Sequence, residues 1–251
     1  MERTRIFFNK EAKLKEPILI VGLPGVGSVG ALVGDKLRRE LKSKLFATIY
    51  SPHFLPQVLI SQSGKVRLVS NRLYCAEVNG RSILILVGDM QAGTPEGYYE
   101  VSERIIRFFK RLGGREAYAI GGYGIDNKVV KNPKVYGAAN DGEMINKLKK
   151  YGVIFGEQRG PIWGSVGLIV AMAKWYGIKG ACILGETGLL DVDANSAKKV
   201  LNVISKILGI EIDVSDLERI SNETRNILKK LEERQKEDEN FRPQENPSYI
   251  R

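Results

Sequence analysis

The chain has 251 residues, enough for one large domain with an appendage, and its 43% hydrophobic and 27% charged content suits a folded protein with a full core. Its single histidine, His53, and its two cysteines exclude a His-rich metal site, a Cys-His zinc module or a Ser-His-Asp triad elsewhere in one subunit. The net charge of +10 raises the question of nucleic acid, yet the cations fall mostly in the second halves of predicted helices, where they complement the helix dipole, and no base-reading signature accompanies them.

No basic, apolar and small-residue leader opens the chain, and the longest uncharged stretch, 17–34, is interrupted by Pro24 and five glycines. Neither a leader nor a membrane span is therefore expected. Cys75 and Cys182 sit in separate apolar runs and read as small hydrophobes of a reducing, cytoplasmic compartment. Few Cys and His beside abundant Lys, Glu and Ile fit a thermophilic source.

Apolar runs predict strands at 17–21, 45–50, 57–61, 66–70, 73–78, 82–88, 116–121, 152–155 and 179–184, interleaved with helical patterns in the manner of an α/β layer structure. After the first strand, Gly22-Leu-Pro-Gly-Val-Gly-Ser-Val-Gly30 spells G-x-G-x-x-G from Gly25. A dinucleotide site also needs a carboxylate at the end of the next strand, and here that strand runs into Ser51-Pro52. A phosphate loop of the Walker type needs Gly-Lys-Ser/Thr, whereas the nearest lysine, Lys36, lies deep in the helix that follows. Tight strand-to-helix packing is the expected role of the loop, with anion binding the alternative. His53, between Pro52 and Pro56, is expected to be structural.

Asn79-Gly80 between two apolar runs suits a type I′ turn, so the sheet should be mixed. Thr94-Pro95 begins a helix as N-cap and first residue, Tyr98, Val101, Ile105, Phe108 and Leu112 mark its buried face, and Gly113 ends it. Gly164-Ser-Val-Gly167 repeats the Gly-Ser-Val-Gly of 27–30 and likewise opens a nearly all-apolar helix, a pattern of burial on every side. Ligands of such sheets gather at strand carboxyl ends. Asp89 and Glu186 there, with the glycines of 121–124, make an acid–base pair the enzymatic alternative, although no activated nucleophile accompanies them.

Towards the carboxyl end, Ser215-Asp-Leu-Glu218 has the form of a capping box. Leu217, Ile220, Thr224, Ile227 and Leu231 then recur at spacings of three and four, a seam narrow enough for a coiled-coil contact in assemblies above a dimer. Docking on the subunit's own body is the alternative. The segment after Lys236 holds two prolines and little apolar content and reads as a mobile tail. The division expected is an α/β domain over 1–210, an oligomerisation helix over 211–238 and a flexible tail over 239–251.

Taken in order, Gly22 to Gly30, Gly88-Asp-Met-Gln91, Gly121-Gly-Tyr-Gly124, Gly137-Ala-Ala-Asn140, Gly160 to Gly167 and Gly185-Glu-Thr187 resemble the archaeal branch of the proteasome assembly chaperone family. The resemblance covers about 10–210. It implies a mixed sheet flanked by helices in a nucleoside-phosphorylase-like three-layer architecture, without that catalytic set. It further implies a homo-oligomer, association with proteasome α-subunits or their ring, a possible paralogous chaperone as partner, no cofactor and no metal. Family members that engage the ring use a terminal hydrophobic-Tyr-any tripeptide. Here Tyr249, Ile250 and Arg251 follow Ser248, so the tyrosine is displaced by one position and tail binding is a hypothesis.

Overall fold

The computed structural model describes residues 1–8, 13–125, 130–157, 160–188 and 192–222. Its centre is an eight-stranded mixed sheet built from β1 (Arg5–Phe8), β2 (Ile18–Gly22), β3 (Lys44–Tyr50), β6 (Asn71–Val78), β7 (Arg81–Gly88), β8 (Glu116–Gly124), β9 (Val135–Ala139) and β10 (Lys179–Thr187). Their order across the sheet is β1-β3-β6-β7-β2-β8-β10-β9. The central pairs β7–β2, β2–β8 and β8–β10 are parallel, and antiparallel strands close both edges. Two shorter strands, β4 (Val58–Ile60) and β5 (Val66–Leu68), form a separate hairpin.

Alternation along the strands assigns the two faces. In β2, Ile18 and Ile20 join a core with α1 (Val29–Glu40), α3 (Gly142–Lys149) and α5 (Ala194–Leu208), whereas Leu19 and Val21 join another with α2 (Pro95–Arg111) and α4 (Ser165–Ala173). A strand buried on both faces reads as an unbroken apolar run, which is how 18–21 and 83–87 look in the sequence. The outcome is helices, sheet and helices in three layers.

Most elements lie where the pattern predicts. The β6–β7 turn pairs Val78 with Arg81, and positive φ at Asn79 (49°) and Gly80 (76°) is the type I′ requirement. At the start of α2 the Thr94 side chain accepts from the Gly97 N–H at 3.1 Å, and the buried face widens beyond the predicted set to take in Ile106 and Phe109. Three expectations need correction. Residues 152–155 contribute a lone bridge, Tyr136 to Ile154, and the strand in that region is β9 instead. Strand β1 escapes the pattern because only one of its residues is even half-buried. The capping box at 215–218 does not form as spelled: Asp213 accepts from the Ser215 N–H at 2.9 Å, and Glu218 pairs with Lys198.

Candidate functional site

The glycine loop after β2 is consumed by the protein itself. A Cβ at Gly22 would come within 2.5 Å of the Gly30 carbonyl oxygen, and one at Gly30 within 2.6 Å of the carbonyls of both Leu23 and Ile120. Only bare backbone lets α1 lie this close to β2 and β8. The loop's amides are also spent locally: Ser28 N–H donates to the Gly25 carbonyl at 2.9 Å and Val29 N–H to that of Val26. The Gly27 carbonyl accepts from Asp193 N–H at 2.8 Å, and Asp193 in turn accepts from Thr187 Oγ1 at 2.8 Å and caps α5. A phosphate cradle needs outward-facing amides, so this geometry supports the packing reading.

The first and second glycine-rich starts meet at Gln91, just beyond β7. Its Nε2 donates to the Pro24 carbonyl at 2.5 Å and its Oε1 accepts from Ser165 N–H, the first amide of α4, at 2.8 Å. Gly164, at φ 81°, turns the chain into α4 directly beside that amide oxygen. Between the two starts lies a cleft of about 630 Å³ at the carboxyl ends of β2 and β8, walled by Leu23, Gln91, Tyr123, Tyr136 and Ile162. Trp163 stands at its rim, 84% exposed. Among the described residues the lining contains no carboxylate, ammonium, guanidinium, imidazole or thiol. Asn140 makes a link like that of Gln91, its amide joining α4 to β10 by accepting from Gly180 N–H and donating to the Val170 and Ile178 carbonyls. Sequence reasoning quoted Gln91 and Asn140 within motifs but gave neither a role, because an amide that links distant backbone leaves no periodicity.

Asp89 and Glu186 do not form a pair. Strands β2 and β8 separate their elements, a spacing of roughly 14 Å. Asp89 accepts from both Arg67 guanidinium nitrogens at 2.6 and 2.9 Å, from Arg72 at 3.2 Å and from the Ser70 N–H at 3.0 Å. Burial pushes its carboxyl up, but the Arg67 hydrogen bonds, the Ser70 amide and the two positive charges outweigh burial and hold it below the usual carboxylate range. Glu186 accepts from Lys134 N–H at 3.0 Å and from the Tyr136 hydroxyl at 3.3 Å. His53 packs its Cβ against Gly97 at the start of α2, and its carbonyl accepts from Gly93 N–H at 2.8 Å. Among the described residues, no three His, Cys, Asp or Glu side chains come together as a metal site would require, and no helix is long and apolar enough to cross a membrane.

At the opposite end of the sheet, Glu116 gathers Lys147, Arg81 and the Tyr118 hydroxyl. Burial first, then the Glu116 charge, pushes the Tyr118 phenol far up. A second concentration of charge lies between β1 and α2, where Arg3, Arg5, Arg104, Arg107, Lys110 and Arg111 line one groove. These cations therefore converge in space rather than simply solvating one helix.

Residues 215–222 are helical, and their base is fixed to the subunit. Leu217 is 3% exposed and joins the core beneath α1 and α5, with Ile220 packed at its edge. Asp216 pairs with the buried Lys36 at 2.9 Å, and Glu40 holds the same ammonium at 2.8 Å. Desolvation lowers the affinity of Lys36 for its proton, but the two carboxylates reverse this and raise it. Leu217 thus takes the alternative of docking on its own body. Thr224, Ile227 and Leu231, and the tail with Tyr249, Ile250 and Arg251, lie outside the described residues.

Comparison with known proteins agrees with this architecture. PbaB of Pyrococcus furiosus, an archaeal proteasome activator, superposes with a TM-score of 0.86 at 36% identity, covering 92% of this chain and 100% of that one. PbaA of the same organism, an archaeal homolog of proteasome-assembly chaperone, gives 0.77 at 25% identity, covering 95% of each chain. An uncharacterized protein of Methanocaldococcus jannaschii is 33% identical over 224 residues, 89% of this chain and 86% of that protein. The PAC2 family profile matches residues 19–232, and with its loop glycines, amide links and three-layer core in the same chain, this protein belongs to the PAC2 family.

Proposed function

We propose that the protein is a non-enzymatic, ATP-independent scaffold of proteasome assembly. Copies of the chain join into a homo-oligomer above a dimer, which holds proteasome α-subunits, their ring or a paralogous chaperone in the cytoplasm. The observation that carries this reading is the near full-length similarity to PbaB and PbaA, whose names connect both to the proteasome.

In this reading the helix base at 215–222 is rooted on the subunit through Leu217. Ile220, Thr224, Ile227 and Leu231 then continue a seam between copies, and Tyr249, Ile250 and Arg251 reach α-subunits. Leu217 anchors the seam rather than lining it. Several tails on one oligomer raise the effective concentration of each, offsetting the entropy lost when a tail is ordered.

Capture of α-subunits by the intact chain, compared with a chain ending at Glu239, tests the proposal. Capture by the intact chain and its loss on truncation support tail-mediated binding. Equal capture by both moves the contact to the folded body, and no capture by either contradicts the proposal. The cleft has the volume of a small-molecule site, which keeps an enzyme acting on a nucleoside-like or carboxylate compound as the second reading. A metabolite that raises the melting temperature in a concentration-dependent way would favour that reading.

A further inference from the structure

The groove between β1 and α2 has a volume of about 660 Å³ and is lined on one wall by residues 3–7 and on the other by Arg104, Arg107, Lys110 and Arg111, with Tyr176. Alternate residues of an extended chain face opposite sides, so a groove that touches five consecutive residues runs along the edge of the strand. That edge is the free one: β1 ends the sheet and pairs with β3 alone among the described strands. The residues of β1 that face α2 are already spent. Thr4 is hydrogen-bonded to Glu100, Ile6 packs on the core, and Phe8 meets the Phe108 ring edge-on at 4.9 Å.

The cations of this groove outnumber the carboxylates that answer them. Glu100 faces Arg104 at 3.4 Å and Glu103 faces Arg107 at 3.9 Å, but Thr4 shares the first carboxylate and the Tyr176 hydroxyl, at 2.5 Å, shares the second. Arg3, Arg5, Lys110 and Arg111 are exposed and meet no carboxylate among the described residues. Complementing the helix dipole accounts for Lys110 and Arg111, in the last turn of α2, and not for Arg3 and Arg5 on the opposite wall. Like charges held along one groove repel one another, and an anionic occupant relieves that repulsion.

We infer that the groove binds an acidic segment of another protein in extended conformation. Charge complementarity selects an anion and disfavours the folded body of a second copy, since the chain carries +10. Spacing selects an extended anion. Arg104 and Arg111 stand roughly 10 Å apart along the helix axis, and Arg3 and Arg5 roughly 7 Å apart along the chain, the interval between alternate residues of an extended peptide. A compact anion would need cations gathered about one point. The strand edge selects a peptide over a nucleic acid: β1 presents backbone N–H donors as well as carbonyl acceptors, and a peptide backbone answers both, whereas phosphate oxygens only accept. With four residues, β1 supplies register while the ionic contacts supply selectivity. The arginines that flank it repel another basic strand and attract an acidic one. This inference concerns the folded body and does not rest on the proteasome reading.

The test uses the full-length protein and a fluorescent, end-capped peptide of four Glu-Thr repeats, with binding followed by anisotropy at low salt. The natural chain should bind this peptide, should ignore the same peptide with Gln in place of Glu, and should release it as salt is added. Arg3→Glu, Lys110→Glu changes one exposed cation on each wall and should weaken binding about tenfold or more. Lys149→Glu, Lys150→Glu alters the net charge equally at the end of α3, on the other face of the sheet, and should change affinity less than about threefold. Circular dichroism checks that each variant is folded, and Arg107→Gln, Arg111→Gln provides a second, milder groove variant that should also lose binding. No binding by the natural chain, equal binding of the Gln peptide, or equal loss in the groove and α3 variants would each overturn the inference. Tighter binding of a thymidine oligonucleotide of equal charge would assign the groove to nucleic acid and overturn it too. So would a tenfold gain in peptide affinity when Glu237, Asp238 and Glu239 are changed to their amides in the full chain, because the occupant would then be the chain's own acidic run.

Discussion

At the scale of single residues, the motif positions are joints of the fold. Gly30→Ala places a methyl group where two carbonyl oxygens stand 2.6 Å away, and the backbone cannot yield cheaply. It should lower stability by about 3 kcal/mol in a denaturant titration, the upper range for overpacking. Asp89→Asn leaves Arg67 and Arg72 without a counter-charge, and because Arg67 is 44% exposed the expected cost is only about 1 kcal/mol at pH 7. The sign of its pH dependence is fixed by the depressed carboxyl: its contribution is complete above the unfolded value near pH 4 and fades as the pH falls through the lower folded value. The natural chain should therefore lose more stability between about pH 5 and 2 than Asp89→Asn does, as read from melting temperature. Cys182, pushed up to about 12 by burial, should resist iodoacetamide at pH 8 until the chain unfolds globally. The sequence showed that Gly22 to Gly30 lacks the partners of a nucleotide site, because those partners are residue types at set spacings. It hid the links at Gln91 and Asn140, which depend on where distant backbone arrives.

Among the elements, legibility tracked burial. The central strands β2, β7, β8 and β10 were found as apolar runs because both faces are covered, whereas β1, exposed along most of its length, carries no such signal. The segment 152–155 is apolar for a different reason, since Phe155 and Val153 pack over Gly137 of β9 without entering the ladder beyond one bridge. The base of the carboxyl-terminal helix illustrates the limit of periodicity: a three-four repeat starting at Leu217 looks the same whether the first residue meets a partner or its own core. Here Leu217 meets the core. Leu217→Ala should thus cost about 2–4 kcal/mol of subunit stability, measurable by urea unfolding at a concentration where association is held constant. A purely intersubunit leucine would instead change the association constant and leave the subunit's own unfolding in place.

For the whole molecule, the described surface combines one cleft with patches that face solvent. The cleft is walled by amide, phenol and aliphatic groups, while an apolar hairpin face and a basic groove face solvent. The expectation of a mixed α/β fold came from alternating apolar runs and the Asn79-Gly80 turn, and both features stand in the structure. What no single-chain pattern supplies is which outward surface meets which partner, because that depends on a second molecule. Native mass determination of the purified chain, alone and mixed with proteasome α-subunits, addresses this most directly. The account predicts more than two copies in the free protein and a discrete heavier species containing α-subunits in the mixture. A free mass of one chain, with the α-subunits unshifted on mixing, would contradict it.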